Sequence, residues 1–180
     1  MSSAAGPRPS HLILIGLPGA GKSTHGRRAA QQLARPFIDL DRRVSQRDGR
    51  SIAQIFRQDG EPAFRELERQ ATVALAGEPA SVVAPGGGWM MDAANVELVK
   101  PGALIVWLQV TPAAAVHRMG PRIRLRPLLA SGDPVANLAR LLERRAARYA
   151  TADAVIDTEV LDWQGVVDAL AALAPSPIVT

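Results

Sequence analysis

Eight consecutive residues limit what this chain can fold into more than any others: Gly16-Leu17-Pro18-Gly19-Ala20-Gly21-Lys22-Ser23. They match G-x-x-x-x-G-K-[ST] at every fixed position. Ahead of them His11–Ile15 is a short β-branched and leucine run that reads as a buried strand, and residues 22–34 behind them carry helical patterning. A strand, a glycine-rich turn and a helix in that order let successive backbone N–H groups point inward at a phosphate, with the positive end of the helix behind them. In such a loop Lys22 reaches β- and γ-phosphates and the Ser23 hydroxyl ligates Mg²⁺.

The rest of the chain repeats the alternation. Short apolar runs at 36–40, 81–84, 103–110 and 154–156 read as strands. Helical stretches at 52–56, 62–75, 135–149 and Trp163–Leu173 fall between or after them, and Pro112 opens another helix as a first-turn residue. Strands that are apolar throughout and alternate with helices predict a parallel sheet covered on both faces. Ligands of such sheets bind at the carboxyl ends of the strands, so residues that follow strands carry the interest. Residues 1–10 read as a flexible leader and 175–180 as a tail, leaving a single domain over 11–174.

Composition narrows the function. With 180 residues, 47% hydrophobic and 21% charged, the chain has the usage of a globular domain with a sizeable core. It has no cysteine, which excludes a disulfide framework and a thiolate nucleophile and suits a reducing cytoplasm. No apolar stretch is long enough to span a bilayer, so a cytoplasmic protein with no membrane partner is expected. The net charge of +4 is compatible with nucleic-acid binding, but its distribution favours another partner. Arginines crowd residues 118–148 instead of forming a basic tail, and guanidinium forks match polyphosphate oxygens.

Four further motifs follow in order. Phe37-Ile38-Asp39-Leu40-Asp41 ends the second strand; alternation along a strand puts both carboxylates on one face, at the ligand edge. Such a pair can hold hydrated Mg²⁺ and accept a hydroxyl proton, or it can simply be a solvated strand end or helix cap. In Phe64-Arg65-Glu66-Leu67-Glu68, Arg65 and Glu68 share a helix face, a spacing that a routine surface ion pair explains equally well. Gly86-Gly87-Gly88 after the third strand suits close backbone approach to a ligand, or a plain turn. Arg126-Pro127-Leu128-Leu129 sits in an aperiodic segment, with the composition of a charged lid over 118–133, and Arg145 precedes Tyr149 by one helical turn. His11, His25 and His117 are scattered and read as structural or surface residues; Trp107 reads as core and Trp163 as packing for the last helix.

In this order the motifs resemble those of the shikimate kinases, in the nucleoside-monophosphate-kinase-like branch of P-loop proteins, over residues 11–173. The resemblance implies a three-layer α/β/α fold with a central five-stranded parallel sheet in the order 2-3-1-4-5. It also implies ATP-dependent phosphorylation of shikimate with Mg²⁺ by a monomer. Asp41 then binds the substrate hydroxyls and serves as base, with Lys22 and Arg126 acting on the transferring phosphate. Arg65 and Arg145 clamp the substrate carboxylate, Glu68 orients Arg65, and Gly86, Gly87 and Gly88 close on the ring. Gly19, Ala20, Gly21, Lys22, Ser23 and Thr24 hold ATP together with Arg118 and Arg126, and Ser23 and, through water, Asp39 hold the metal. Trp89-Met90-Met91 is bulkier than the pattern leads one to expect and bears on substrate preference. Two other readings stand beside this one: a related kinase acting on an acceptor such as gluconate, and a catalytically silent ligand sensor.

Overall fold

A central strand buried on both faces organises the molecule. In the computed structural model, which describes residues 10–125, 129 and 132–174, strand β1 (His11–Ile15) is no more than 3% exposed at any position. Its side chains alternate between two cores, as the pleat requires. Leu12 and Leu14 join Val106, Leu108, Leu138, Val167 and Leu170 on one face; Ile13 and Ile15 join Ile55, Phe64, Val83, Ile105 and Tyr149 on the other.

Around β1 run α1 (Lys22–Gln32), β2 (Phe37–Asp39), α2 (Leu40–Asp48), α3 (Ile52–Ala74), β3 (Val82–Ala84), α4 (Ala93–Val99), β4 (Ala103–Gln109), α5 (Pro112–Met119), α6 (Pro134–Tyr149), β5 (Ala154–Asp157) and α7 (Trp163–Leu173). The five strands form one sheet in the order β2-β3-β1-β4-β5, and every neighbouring pair is parallel. That is the architecture and strand order expected from the sequence. All carboxyl ends therefore lie along one edge, and the phosphate-loop motif, the paired aspartates and the triple glycine all follow strands there.

Local chemistry sets the element boundaries. Ser51 and Gln54 form a reciprocal capping box at the start of α3, Ser51 N donating to Gln54 Oε1 at 2.8 Å and Gln54 N to Ser51 Oγ at 3.3 Å. Asp162 caps α7 by accepting Gly165 N at 2.7 Å. The two helical stretches expected at 52–56 and 62–75 are one element broken at Gly60, where φ is 80° and ψ 177°, with Pro62 just beyond. Helix α4 has no counterpart in the sequence reading, and α2 enters it only as the helix that the aspartate pair can cap. The α2 segment, Leu40-Asp41-Arg42-Arg43-Val44-Ser45-Gln46-Arg47-Asp48, has only two buried residues, Leu40 and Val44, too few to declare a periodicity.

This shortening of β2 corrects one inference. Asp41 does not share a strand face with Asp39, because the strand ends at Asp39, whose carboxylate caps α2 by accepting Arg42 N at 3.2 Å. Asp41 sits in the first turn of α2 instead. Arg126, the greater part of the expected lid beyond residue 125, residues 1–9 and the tail lie outside the described residues.

Candidate active site

The loop after β1 wraps as the glycine spacing demands. Gly19 has φ +85°, and a β-carbon there would meet the Ala115 carbonyl oxygen at 2.6 Å, so neither the backbone angle nor the space admits a side chain. Lys22 lies across the loop, Nζ donating to Gly16 O at 2.8 Å and Leu17 O at 3.0 Å. Ala20 is fully buried and gives its N–H to Leu17 O at 3.1 Å. Ser23 Oγ lies 3.4 Å from Asp39 Oδ2. A hydroxyl beside a carboxylate, with few protein donors in all, is an oxygen set of the kind that Mg²⁺ accepts next to phosphates.

A cavity of about 810 Å³ opens above this loop. Gly19, Gly21, Lys22, Ser23 and Thr24 line its floor, Asp39, Asp41, Gly86 and Gly87 one end, and Arg118, Arg122, Thr158 and Trp163 the other. Asp39 and Asp41 thus do face one space, although helix α2 and not strand alternation brings them there.

Gly86, Gly87 and Gly88 are the hub of the aspartate end. A β-carbon on Gly86 would fall 2.6 Å from Asp41 Oδ1, one on Gly87 2.9 Å from Arg145 Nη1, and one on Gly88 2.6 Å from Arg65 Nη2. None of the three has a positive φ; Gly88 has φ −94° and ψ −8°. The triplet is glycine for room, because three charged side chains from α2, α3 and α6 press against three successive α-carbons. Arg65 and Arg145 are not among the residues that line the cavity; they meet its edge at Gly87 and Gly88.

Each arginine is held. Arg65 Nη1 donates to Glu68 Oε2 at 2.8 Å, and Nε and Nη2 both donate to Glu61 Oε1, at 3.2 and 2.9 Å. Half-burial works against the Arg65 charge, but the bonds and charges of Glu68 and Glu61 outweigh it and hold the guanidinium above its ordinary pKa. Glu68 is 1% exposed, and burial pushes its carboxyl up from the usual range against the pull of Arg65, with Asp41 and Asp92 adding to the rise. Arg145 Nη1 donates to Tyr149 Oη at 3.4 Å, and that hydroxyl donates to Gly87 O at 3.2 Å. Burial raises the Tyr149 hydroxyl above its usual range, opposed by the Arg145 charge, so it stays a donor.

Three residues behave differently from their sequence reading. Arg118 fixes the loop after β5, Nη1 donating to Thr158 Oγ1 and Nη2 to Thr158 O, both at 2.7 Å, while still lining the cavity. Trp163, read as packing for the last helix, is 47% exposed at the cavity rim, 6.1 Å ring to ring from His25 and with Arg28 over it at 5.9 Å. Its place after the carboxyl end of β5 is the sequence signal for that position. Trp89 is fully buried and donates Nε1–H to Thr72 Oγ1 at 2.9 Å, so its bulk fills the core under α3.

A phosphate-binding loop at the carboxyl end of the central strand, in a five-stranded parallel sheet of this order, defines a P-loop kinase. The family model for shikimate kinase matches residues 18–172, and the chain belongs to the shikimate kinase family, an ATP-dependent family of enzymes. A shikimate kinase of Moorella thermoacetica is 42% identical over 151 residues, 84% of this chain and 86% of the relative. One from Synechococcus sp. strain JA-3-3Ab is 46% identical over 142 residues, 79% of this chain and 75% of the relative. Among solved structures, the Acinetobacter baumannii shikimate kinase in complex with shikimate superposes with TM-score 0.79 at 34% identity, covering 91% of this chain and 89% of that one. A Sinorhizobium meliloti gluconokinase, at TM-score 0.58 and 19% identity, shares the fold.

Proposed function

We propose that this chain transfers the γ-phosphoryl group of ATP to a hydroxyl of shikimate, giving shikimate 3-phosphate and ADP. The observation that carries the reading is the triple glycine, against which Asp41, Arg145 and Arg65 lie at successive residues. Shikimate presents a carboxylate at one end of a ring and hydroxyls at the other. Two guanidiniums and one carboxylate a few ångströms apart match that polarity, with the phosphate loop on the carboxylate's side.

In this reading Arg65 and Arg145 grip the substrate carboxylate, and the backbone of Gly86–Gly88 lies along the ring. Asp41 orients the attacking hydroxyl and takes its proton, so the oxygen nucleophile and the γ-phosphorus meet in line. The loop amides and Lys22 hold the β- and γ-phosphates and offset the charge that develops on transfer. Ser23 directly, and Asp39 through water, hold Mg²⁺, which would supply charge neutralisation between the phosphates. Arg118 with Trp163 borders the base end of the nucleotide, and Arg126 is assigned to the transferring phosphate from its motif alone. A cysteine-free chain suits the cytoplasm, where ATP and reducing conditions coincide.

Coupled ADP release measured with shikimate, with gluconate and without acceptor tests this directly. Turnover with shikimate well above the acceptor-free rate is expected. Equal rates in all three would remove the acceptor assignment, and preference for gluconate would replace it.

A further inference from the structure

Three neighbours surround the guanidinium of Arg65. Its outer Nη1 donor is taken by Glu68, which is buried. Its tip abuts Gly88: the β-carbon position there is 2.6 Å from Nη2, 2.9 Å from Nη1 and 3.1 Å from Cζ, which places it in line beyond the two terminal nitrogens and not above the plane. The remaining edge, Nε with Nη2, is held by a single oxygen of Glu61. Of these three neighbours Gly88 is backbone and Glu68 is 1% exposed, whereas the Glu61 side chain is 61% exposed. Glu61 is also the first residue after the break at Gly60, one helical turn before Arg65.

We infer that Glu61 is a stand-in carboxylate, occupying the one edge of Arg65 that a substrate carboxylate can take and leaving when the substrate arrives. The inference rests on the proposed role of Arg65. A carboxylate substrate then exchanges one ion pair for another, and its apparent affinity is lowered by whatever holds Glu61 in place. The exchange also disfavours neutral sugars and polyols. They cannot replace the lost ion pair, so Glu61 contributes to selection for acids. If Glu61 instead served to aim Arg65, as Glu68 does, its loss would weaken substrate binding. The two roles differ in sign.

The test is steady-state kinetics of wild type, Glu61→Gln and Glu61→Ala, with melting curves to confirm that all three are folded. The stand-in role predicts that the KM for shikimate falls roughly two- to fivefold in both variants, the span that an exposed ion pair allows. The kcat and the KM for ATP should stay at wild-type values. A KM for shikimate that rises or does not move in both variants overturns the inference while leaving shikimate turnover intact. Absence of turnover in the wild type overturns the proposed function, and the inference falls with it.

Discussion

Glu68 Oε2 accepts a 2.8 Å hydrogen bond from Arg65 Nη1 in a position where the glutamate is 1% exposed and the arginine side chain 31%. The buried partner cannot follow a moving arginine, so it fixes one end of the guanidinium while the exposed Glu61 occupies another. The two glutamates therefore have opposite consequences for the same side chain. Replacing Glu68 by Gln should raise the KM for shikimate about tenfold, in line with loss of a charged hydrogen bond. The KM for ATP should not follow. An equal rise in both would show that Glu68 acts on the whole fold.

Gly88→Ala tests the hub. The backbone at Gly88 is one any residue adopts, so the new methyl brings no backbone strain, only a clash 2.6 Å from Arg65 Nη2. The melting temperature should change by no more than a few degrees, roughly what about 1 kcal/mol produces in a domain of this size. By contrast, kcat/KM for shikimate should fall on the order of a hundredfold as Arg65 is pushed away. A variant that melts far earlier would mean that the glycine serves the fold. One that keeps full activity would mean that Arg65 has no part in binding.

The sequence made the sheet and the loop legible because both rest on local signals: buried strands that alternate with helices, and glycines at fixed intervals. Trp163–Leu173 and His11–Ile15 are read to the residue for that reason. Strand alternation is the wrong route to the space that Asp39 and Asp41 share, since nothing local announces that β2 stops after three residues. The triple glycine by itself suits close backbone approach to a ligand or a plain turn. Its room is filled by Asp41, Arg145 and Arg65, which arrive from three helices distant in the chain. Glu61 is not legible in the sequence because the break at Gly60 hides the fact that it stands one turn before Arg65 and shares its face.

His11 makes the protein acid-sensitive. It is 3% exposed; Nε2 donates to Leu75 O at 2.8 Å and Nδ1 accepts Ser81 N–H at 3.3 Å, a pattern only the neutral ring satisfies. Burial lowers its pKa below 6.5, and His25 is lowered likewise by burial and then by Arg118. The folded state thus binds fewer protons than the unfolded chain. The stability this contributes is complete above pH 6.5 and is lost as pH falls through the lowered folded value. Glu68 tilts the other way: its raised folded pKa contributes stability below 4.5 that disappears as pH rises through the folded value. The histidine contribution is therefore read as a difference. Urea midpoints of wild type and His11→Gln, followed from about pH 8 to 5, should converge as pH falls. Parallel curves would show that the His11 proton is not linked to folding.

Asp41→Asn separates chemistry from nucleotide binding. The amide keeps the shape that fits against Gly86, where Asp41 Oδ1 already marks the limit of approach, but it cannot take a proton from the attacking hydroxyl. The change therefore removes the base and leaves the floor of the cavity, built by Gly19, Gly21, Lys22, Ser23 and Thr24, as it was. Loss of a positioned general base predicts that kcat drops by about 10²- to 10⁴-fold. Affinity for ATP, measured by calorimetry without acceptor, should match the wild type. If the variant turns over at the wild-type rate, the proton leaves by another path and Asp41 only orients the substrate. If ATP binding collapses with kcat, Asp41 belongs to the nucleotide site, and the division of the cavity into a phosphate floor and a substrate end is wrong.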